Sequence, residues 1–231
     1  LRAYEQISEY ADMDVVTIRS WKPSRRFLTS YLYKNIKVRC LNLPIIPFNH
    51  PIITFSGSTV IHAALVNASS VLATNILSKS IMEYDLIHSV SIGLTSVIGS
   101  RLASLYDIPH ITQLIGTDVN FNLPKVSKLK TYKQMCKNLS GVISNSNVLL
   151  NIFIKIFPGI KKTTVIYRGT DLSKFCSNPK NNRAKIAFLY LGGFHPSRMD
   201  PDGNKKGVIT LLKAWEEHEN ELVENKAILK I

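Results

Sequence analysis

The amino-acid sequence predicts an α/β protein built on a parallel sheet, followed by the opening βαβ unit of a second such sheet. Three observations carry this expectation. Short β-rich runs alternate with helical patterns along the 231 residues, as a chain of βαβ units does. Hydrophobic residues make up 45% and charged residues 19%, which supplies a core and excludes a disordered chain. A polar, Pro-containing run at 176–185 interrupts the alternation before it resumes, as an interdomain linker does.

The elements follow in order. The chain opens on an amphipathic pattern, Leu1, Tyr4, Ile7 and Ser8. Val15–Ile18 and Ile36–Leu41 read as strands. From Leu41 to Ser78 there is no charged residue, and Arg25, Arg26, Lys34, Lys37 and Arg39 flank the stretch. It reads either as a segment lying in a membrane interface or as a buried helix of the domain. Tyr84–His88 is a strand. Ile92–Tyr106 is a helix, with Val97, Ile98, Leu102, Leu105 and Tyr106 at helical spacing. Pro109 restarts the chain as the strand His110–Leu114. Residues 125–139 form a helix with Val126, Leu129, Met135, Cys136 and Leu139 on one face and five lysines on the rest. Gly141–Ile143 is a strand, 147–157 a helix and Thr163–Ile166 a strand. Beyond the linker come a strand at Ile186–Leu191, a helix from Val208 and a strand from Ala227. Both ends fall in mid-pattern, so the chain reads as a piece of a longer protein. Its expected parts are a domain at 1–176, a linker at 177–185 and the start of a second domain at 186–231.

Charge narrows the partners. Lys+Arg 29 against Asp+Glu 16 gives +13, which attracts phosphates, acidic lipid or nucleic acid. Nucleic acid is disfavoured, because the basic segments lack interleaved aromatics and carry no recognition motif. Between Asp118 and Asp171 there are nine Lys/Arg and no acid. The lysine face at 125–137 is either a solvated helix face or a docking surface for anionic lipid. Cys40, Cys136 and Cys176 form no CxxC and read as free thiols of a reducing compartment. His50, His62, His110, His195 and His218 lack metal-ligand spacing. No stretch reaches 18 uninterrupted apolar residues, so no membrane-spanning helix is expected. No Walker A, GxSxG or GxGxxG pattern occurs.

Parallel sheets bind ligands at the carboxyl ends of their strands. The polar residues after each strand are therefore the candidates: His88, Gly116-Thr117-Asp118, Ser144-Asn145 and Arg168-Gly169-Thr170-Asp171. An imidazole at a strand end, as His88 is read, either takes a proton from a hydroxyl or is held by backbone groups. Asp118 reads either as a contact to a ligand's hydroxyls or as a cap for the segment that follows it. Asn145, in Ser-Asn-Ser-Asn, reads mainly as a helix N-cap device. Lys206 sits just before the helix from Val208, where it is either a phosphate contact or a solvated loop lysine beside Lys205.

Four segments, in order, resemble the GT-B glycosyltransferases of the family-4 type. Tyr84-Asp85-Leu86-Ile87-His88 is similar to the strand that this family ends in Asp-hydrophobic-hydrophobic-His. Ile108-Pro109 to Gly116-Thr117-Asp118 is similar to its strand and His-Gly-x-Asp turn. Val165-Ile166-Tyr167-Arg168-Gly169-Thr170-Asp171 with Phe175 is similar to its interdomain motif. Leu189 to Gly207, with Leu211-Leu212-Lys213-Ala214, is similar to the first strand, loop and helix of its donor domain. The likeness covers 84–215. It departs at Ile115 for His, at Tyr167-Arg168 for Pro-Asn, and at Gly193 for Arg, where Arg198 is a substitute. The resemblance implies two Rossmann-like domains and retaining, metal-independent transfer of a sugar from a nucleotide-sugar donor to a glycan or lipid-linked acceptor. No cofactor is implied. His88 and Asp118 are the implied catalytic or acceptor-side residues, Gly116 and Asn145 acceptor contacts, and Lys206 and Arg198 donor-phosphate contacts. It also implies a cytoplasmic protein, with peripheral attachment to the inner membrane face as an option. The family's glycine-rich first loop and carboxylate motif are not in this sequence, so the piece by itself is expected to be inactive. The competing expectation is a non-enzymatic Rossmann-like module that binds polyanion, nucleic acid or acidic lipid.

Overall fold

The computed structural model describes residues 2–22, 26–44, 59–81, 83–160, 162–169, 187–192 and 207–230. The chain divides into two compact units, Leu1–Gly169 and Thr170–Ile231.

The first unit opens with helix α1 (Arg2–Ile7) and strands β1 (Asp14–Ser20), β2 (Leu28–Tyr33) and β3 (Ile36–Leu43). They pair in the order β1-β3-β2, with β1 parallel and β2 antiparallel to β3. β2 was not expected. Five of its six residues are exposed, so LTSYLY carries no buried alternation, and its tight turn holds a left-handed Lys34 (φ 52°) rather than a glycine. Lys34 Nζ and Tyr33 Oη both reach the Glu5 carboxylate at 2.7 Å, tying the turn to α1.

The uncharged stretch ends in a long helix, α2 (Thr59–Ile81). Residues 61–81 are long and apolar enough to cross a membrane by length and composition. Nevertheless His62, Val66, Ser69, Ser70, Ala73, Thr74 and Leu77 form a buried stripe at helical spacing. Ala73 and Leu77 share a core cluster with Leu41, Leu43, Ile98 and Leu102. One face of α2 therefore packs into the core of the unit, while less than half of its apolar stretch is buried.

The second sheet holds β4 (Ile87–Val90), β5 (His110–Leu114), β6 (Gly141–Ser144) and β7 (Thr163–Val165), all parallel in that order. Helix α3 (Leu94–Tyr106) joins β4 to β5, and α6 (Asn147–Ile156) joins β6 to β7. Between β5 and β6, where one helix at 125–139 is expected, the connection has three helical pieces and starts earlier. A π-helical turn (Asp118–Asn122) runs into α4 (Leu123–Val126), and α5 (Lys130–Lys137) follows. The break is at Leu129, whose ψ of 137° is extended. The expected apolar face survives it. Val126, Met135 and Cys136 are buried with Tyr132, while the lysines at 125, 128, 130, 133 and 137 are exposed. This face and Phe153, fully buried on α6, build the main cluster of the unit.

In the second unit, β8 (Ala187–Leu189) pairs in parallel with β9 (Ile228–Lys230). Helices α7 (Val208–Glu217) and α8 (Glu219–Glu224) lie between them in sequence, a βαβ unit as expected. Phe188 meets Trp215 edge to face at 5.7 Å. The linker at 177–185 lies outside the described residues.

Candidate functional site

Strand register places four loops along one edge of the second sheet. Val90 pairs with Gln113, Leu114 with Ser144, and Ser144 with Val165. The carboxyl edge therefore carries Ser91–Gly93, Ile115–Asp118, Asn145–Asn147 and Ile166–Gly169. The helices α3 and α6 begin at this edge, and α3 has no side-chain cap at Gly93. Its first N–H groups add partial positive charge there.

Asp118 organises the edge. It is 1% exposed and accepts three backbone N–H bonds. Oδ2 takes Ile92 N at 2.8 Å, and Oδ1 takes Gly116 N at 2.7 Å and Ile115 N at 3.2 Å. One carboxylate thus joins the loop after β4 to the loop after β5. The turn depends on Gly116, whose φ of +130° is reached readily only without a Cβ. Its carbonyl accepts Val119 N and Asn120 N, opening the π-helical turn. Asp118 is the first residue of that turn, where a negative charge opposes the helix dipole favourably.

Asn145 joins from the third loop. Its Nδ2 donates to the Ile115 carbonyl at 3.5 Å, so Gly116, Asp118 and Asn145 do come together. The N-cap of α6 is Ser146, not Asn145: Ser146 Oγ accepts Leu149 N at 3.3 Å. Asn147 Nδ2 donates across to Tyr167 Oη of the fourth loop at 3.1 Å, and Arg168 is exposed beside it.

His88 is displaced from this group. It was expected to end its strand, but β4 runs from Ile87 to Val90, so His88 is its second residue and pairs with Ile111. The Tyr84–Leu86 portion of the expected strand precedes β4. The strand ends at Val90, and Ser91 is the first residue after it. Its φ of 78° is rare for a residue with a Cβ, and its carbonyl accepts Thr95 Oγ1 and Ser96 Oγ. The signal for it was the alternation Ser89-Val90-Ser91-Ile92-Gly93, in which small polar residues and a glycine close an apolar strand.

Behind the edge lies a polar seam that the sequence reading did not single out. His110 is 0% exposed, and its Nε2 pairs with Ser89 Oγ at 2.9 Å. Its Nδ1 has no hydrogen-bond partner among the described residues. Burial, and secondarily the nearby His88, lower its pKa to about 4. Burial also lowers the pKa of His88, although part of that ring stays open to solvent. Gly99 makes room for the pair, since a Cβ there would lie 2.5 Å from Ser89 Oγ and 2.6 Å from His110 Nε2. Ser96 and Thr112 hydroxyls meet at 2.7 Å in the same layer.

In the second unit, α7 starts at Val208 behind Gly207 (φ +77°), as expected for the Lys205-Lys206-Gly207 segment. Lys206 and Arg198 themselves lie outside the described residues, as does Cys176. Among the described residues no three or more His, Cys, Asp or Glu side chains converge as a metal site.

No protein-family model matches the sequence, and no curated protein does. Solved structures do. A structure of trehalose-6-phosphate synthase from E. coli bound with UDP-2-fluoro glucose aligns with 94% of this chain and 56% of its own, at 12% identity and TM-score 0.56. Arabidopsis thaliana UGT89C1 complexed with UDP-L-rhamnose aligns with 99% of this chain and 63% of its own, at 13% identity and TM-score 0.52. A sucrose-phosphate synthase from Thermosynechococcus elongatus aligns with 73% and 82% at 14% identity, with a TM-score of 0.47. The chain thus spans 56% and 63% of the lengths of the first two. At these identities the likeness concerns the fold, and with the parallel sheet and its βαβ order it gives the chain the Rossmann-like α/β fold of the GT-B glycosyltransferases.

Proposed function

We propose that this chain forms the acceptor-side domain, and the beginning of the donor-side domain, of a retaining, metal-independent glycosyltransferase of the family-4 type. The supporting observation is the polar carboxyl edge, where Asp118 holds two loops together and Gly116 and Asn145 join them. That edge is where an open parallel sheet takes its ligand. The fold neighbours bound to UDP-2-fluoro glucose and UDP-L-rhamnose support a nucleotide-sugar donor for the whole protein.

In this reading Asp118 is a positioning residue, because all its described hydrogen bonds go to backbone N–H groups. Asn145 and Ser91, on either side of the Gly116 turn, present amide and hydroxyl groups to an acceptor. His88 receives no proton-transfer role. The developing charge on the leaving diphosphate is met by Lys206, Arg198 and the amino end of α7. The acceptor is a glycan or a lipid-linked sugar.

The experiment is release of nucleoside diphosphate from a panel of UDP-, GDP- and ADP-sugars by the whole protein that carries this chain. Lys206→Ala is expected to lower kcat/KM by roughly tenfold or more, the loss of one charge-assisted phosphate contact. No release from any donor, or wild-type kinetics for the variant, overturns the reading. The surplus of basic charge also favours a second reading, a non-enzymatic polyanion-binding module. Retention on an anionic column without any nucleotide release supports that one.

A further inference from the structure

The first unit has a second concave surface, at the other end of the strands from the carboxyl edge. It is a groove of about 760 Å³ between α5, the residues that lead into β6, and the turn from α6 into β7. Ser140 and Lys162, both on its wall, immediately precede β6 and β7, so the groove sits at the amino ends of those strands.

Two kinds of surface meet in it. Lys128, Lys133, Lys137 and Lys162 bring four exposed ammonium groups to the walls. Lys133 and Lys137 are four apart on α5 and so share a face. None of these four ammonium groups has an ion-pair or hydrogen-bond partner among the described residues. No carboxylate lines the groove among the described residues. Four like charges around one hollow repel each other, and a bound anion relieves that repulsion. Between them, Leu139, Phe157 and Ile160 form an apolar floor that is only partly covered. A free phosphate would satisfy the lysines and leave this floor wet. A neutral apolar ligand would cover the floor and leave the charges opposed.

We propose that this groove binds a lipid phosphate monoester, with the phosphate among Lys128, Lys133, Lys137 and Lys162 and the start of the acyl chain on Leu139, Phe157 and Ile160. The site is separate from the sugar-transfer reading and stands or falls independently of it.

Calorimetric titration of the chain tests it with three soluble probes: dihexanoyl phosphatidate below its micelle concentration, inorganic pyrophosphate, and dihexanoyl phosphatidylcholine. The expected result is saturable, single-site binding of phosphatidate. Pyrophosphate should bind at least about tenfold more weakly, because it cannot cover the floor, and phosphatidylcholine should not bind. The double variant Lys133→Glu, Lys137→Glu should weaken phosphatidate binding about tenfold or more, with an unchanged urea midpoint because both positions are exposed. Pyrophosphate binding as tight as phosphatidate reduces the groove to a phosphate site and overturns the proposal. Equal binding of phosphatidylcholine reduces it to an apolar one and does the same. Absence of saturable binding, or unchanged affinity in the charge-reversed variant, also overturns it.

Discussion

At the scale of single residues, the fate of each candidate follows from what its polar atoms already hold. Asp118 was legible as the acid after a Gly in a strand-end turn, and capping was one of its readings. That it also reaches Ile92, 26 positions away, was not legible, because nothing local encodes which loop lies next to it. Exchanging the carboxylate for an amide replaces one acceptor oxygen by a donor that faces backbone N–H groups. Asp118→Asn is therefore expected to cost about 1–3 kcal/mol of stability, the range for a buried donor left without its partner. Urea unfolding of the purified chain checks this, and a variant as stable as the parent would show that the two loops are held by something else. His88 teaches the converse. Its motif placed it at a strand end, but hydrogen-bond register, not motif, decides where a strand ends, and β4 starts three residues later than Tyr84.

At the scale of elements, legibility followed burial. β5 was read to the residue, because His110–Leu114 alternates buried and half-buried positions along its whole length. α6 was read to within one residue at its carboxyl end, because a Ser-Asn-Ser-Asn start and an amphipathic run mark it. β2 escaped because it is an exposed edge strand, whose side chains sense no core. α2 was legible only as one of two readings of its segment, because its buried stripe is built partly from Ser69, Ser70 and Thr74. The hydroxyls of Ser70 and Thr74 turn back onto helix carbonyls, Ser70 Oγ to Asn67 O and Thr74 Oγ1 to Ser70 O, both at 2.7 Å. A hydrophobic periodicity cannot count such residues as core. The cap of α6 can be tested directly. Ser146→Ala removes the acceptor for Leu149 N and is expected to cost about 1 kcal/mol. Asn145→Ala, one residue outside the helix, should cost less. If the two variants unfold at the same urea concentration, the cap is not where the hydrogen bonds place it.

At the scale of the whole molecule, the repeated βαβ alternation carried the fold, since each parallel strand pair needs a crossover and each crossover was visible as a helical pattern. The ligand edge followed from the fold by the carboxyl-end rule, while the seam of Ser89, Gly99 and His110 did not, being spread over three elements. That seam makes the stability of the first unit depend on pH. The His110 pKa falls from 6.5 to about 4 on folding, first through burial and then through His88. Burial lowers His62 and His88 as well. In each case the unfolded chain binds more protons than the folded one just below pH 6.5, so stability rises with pH in that window. The His110 contribution is fully present above its unfolded pKa, declines as the pH falls below it, and is lost once the pH passes about 4. A drop of this size corresponds to about 3 kcal/mol. Carboxylates also titrate as the solution is acidified, so the decisive quantity is a difference between two proteins. Urea midpoints measured at about pH 7, 5.5 and 4.5 should fall more steeply for the parent than for His110→Leu, whose uncharged side chain has no proton to bind. The two profiles should converge toward the acid end as the parent loses its advantage. Parallel profiles across the whole range would show that His110 is not the group that the acid reaches, and would move the dependence to His62 or His88.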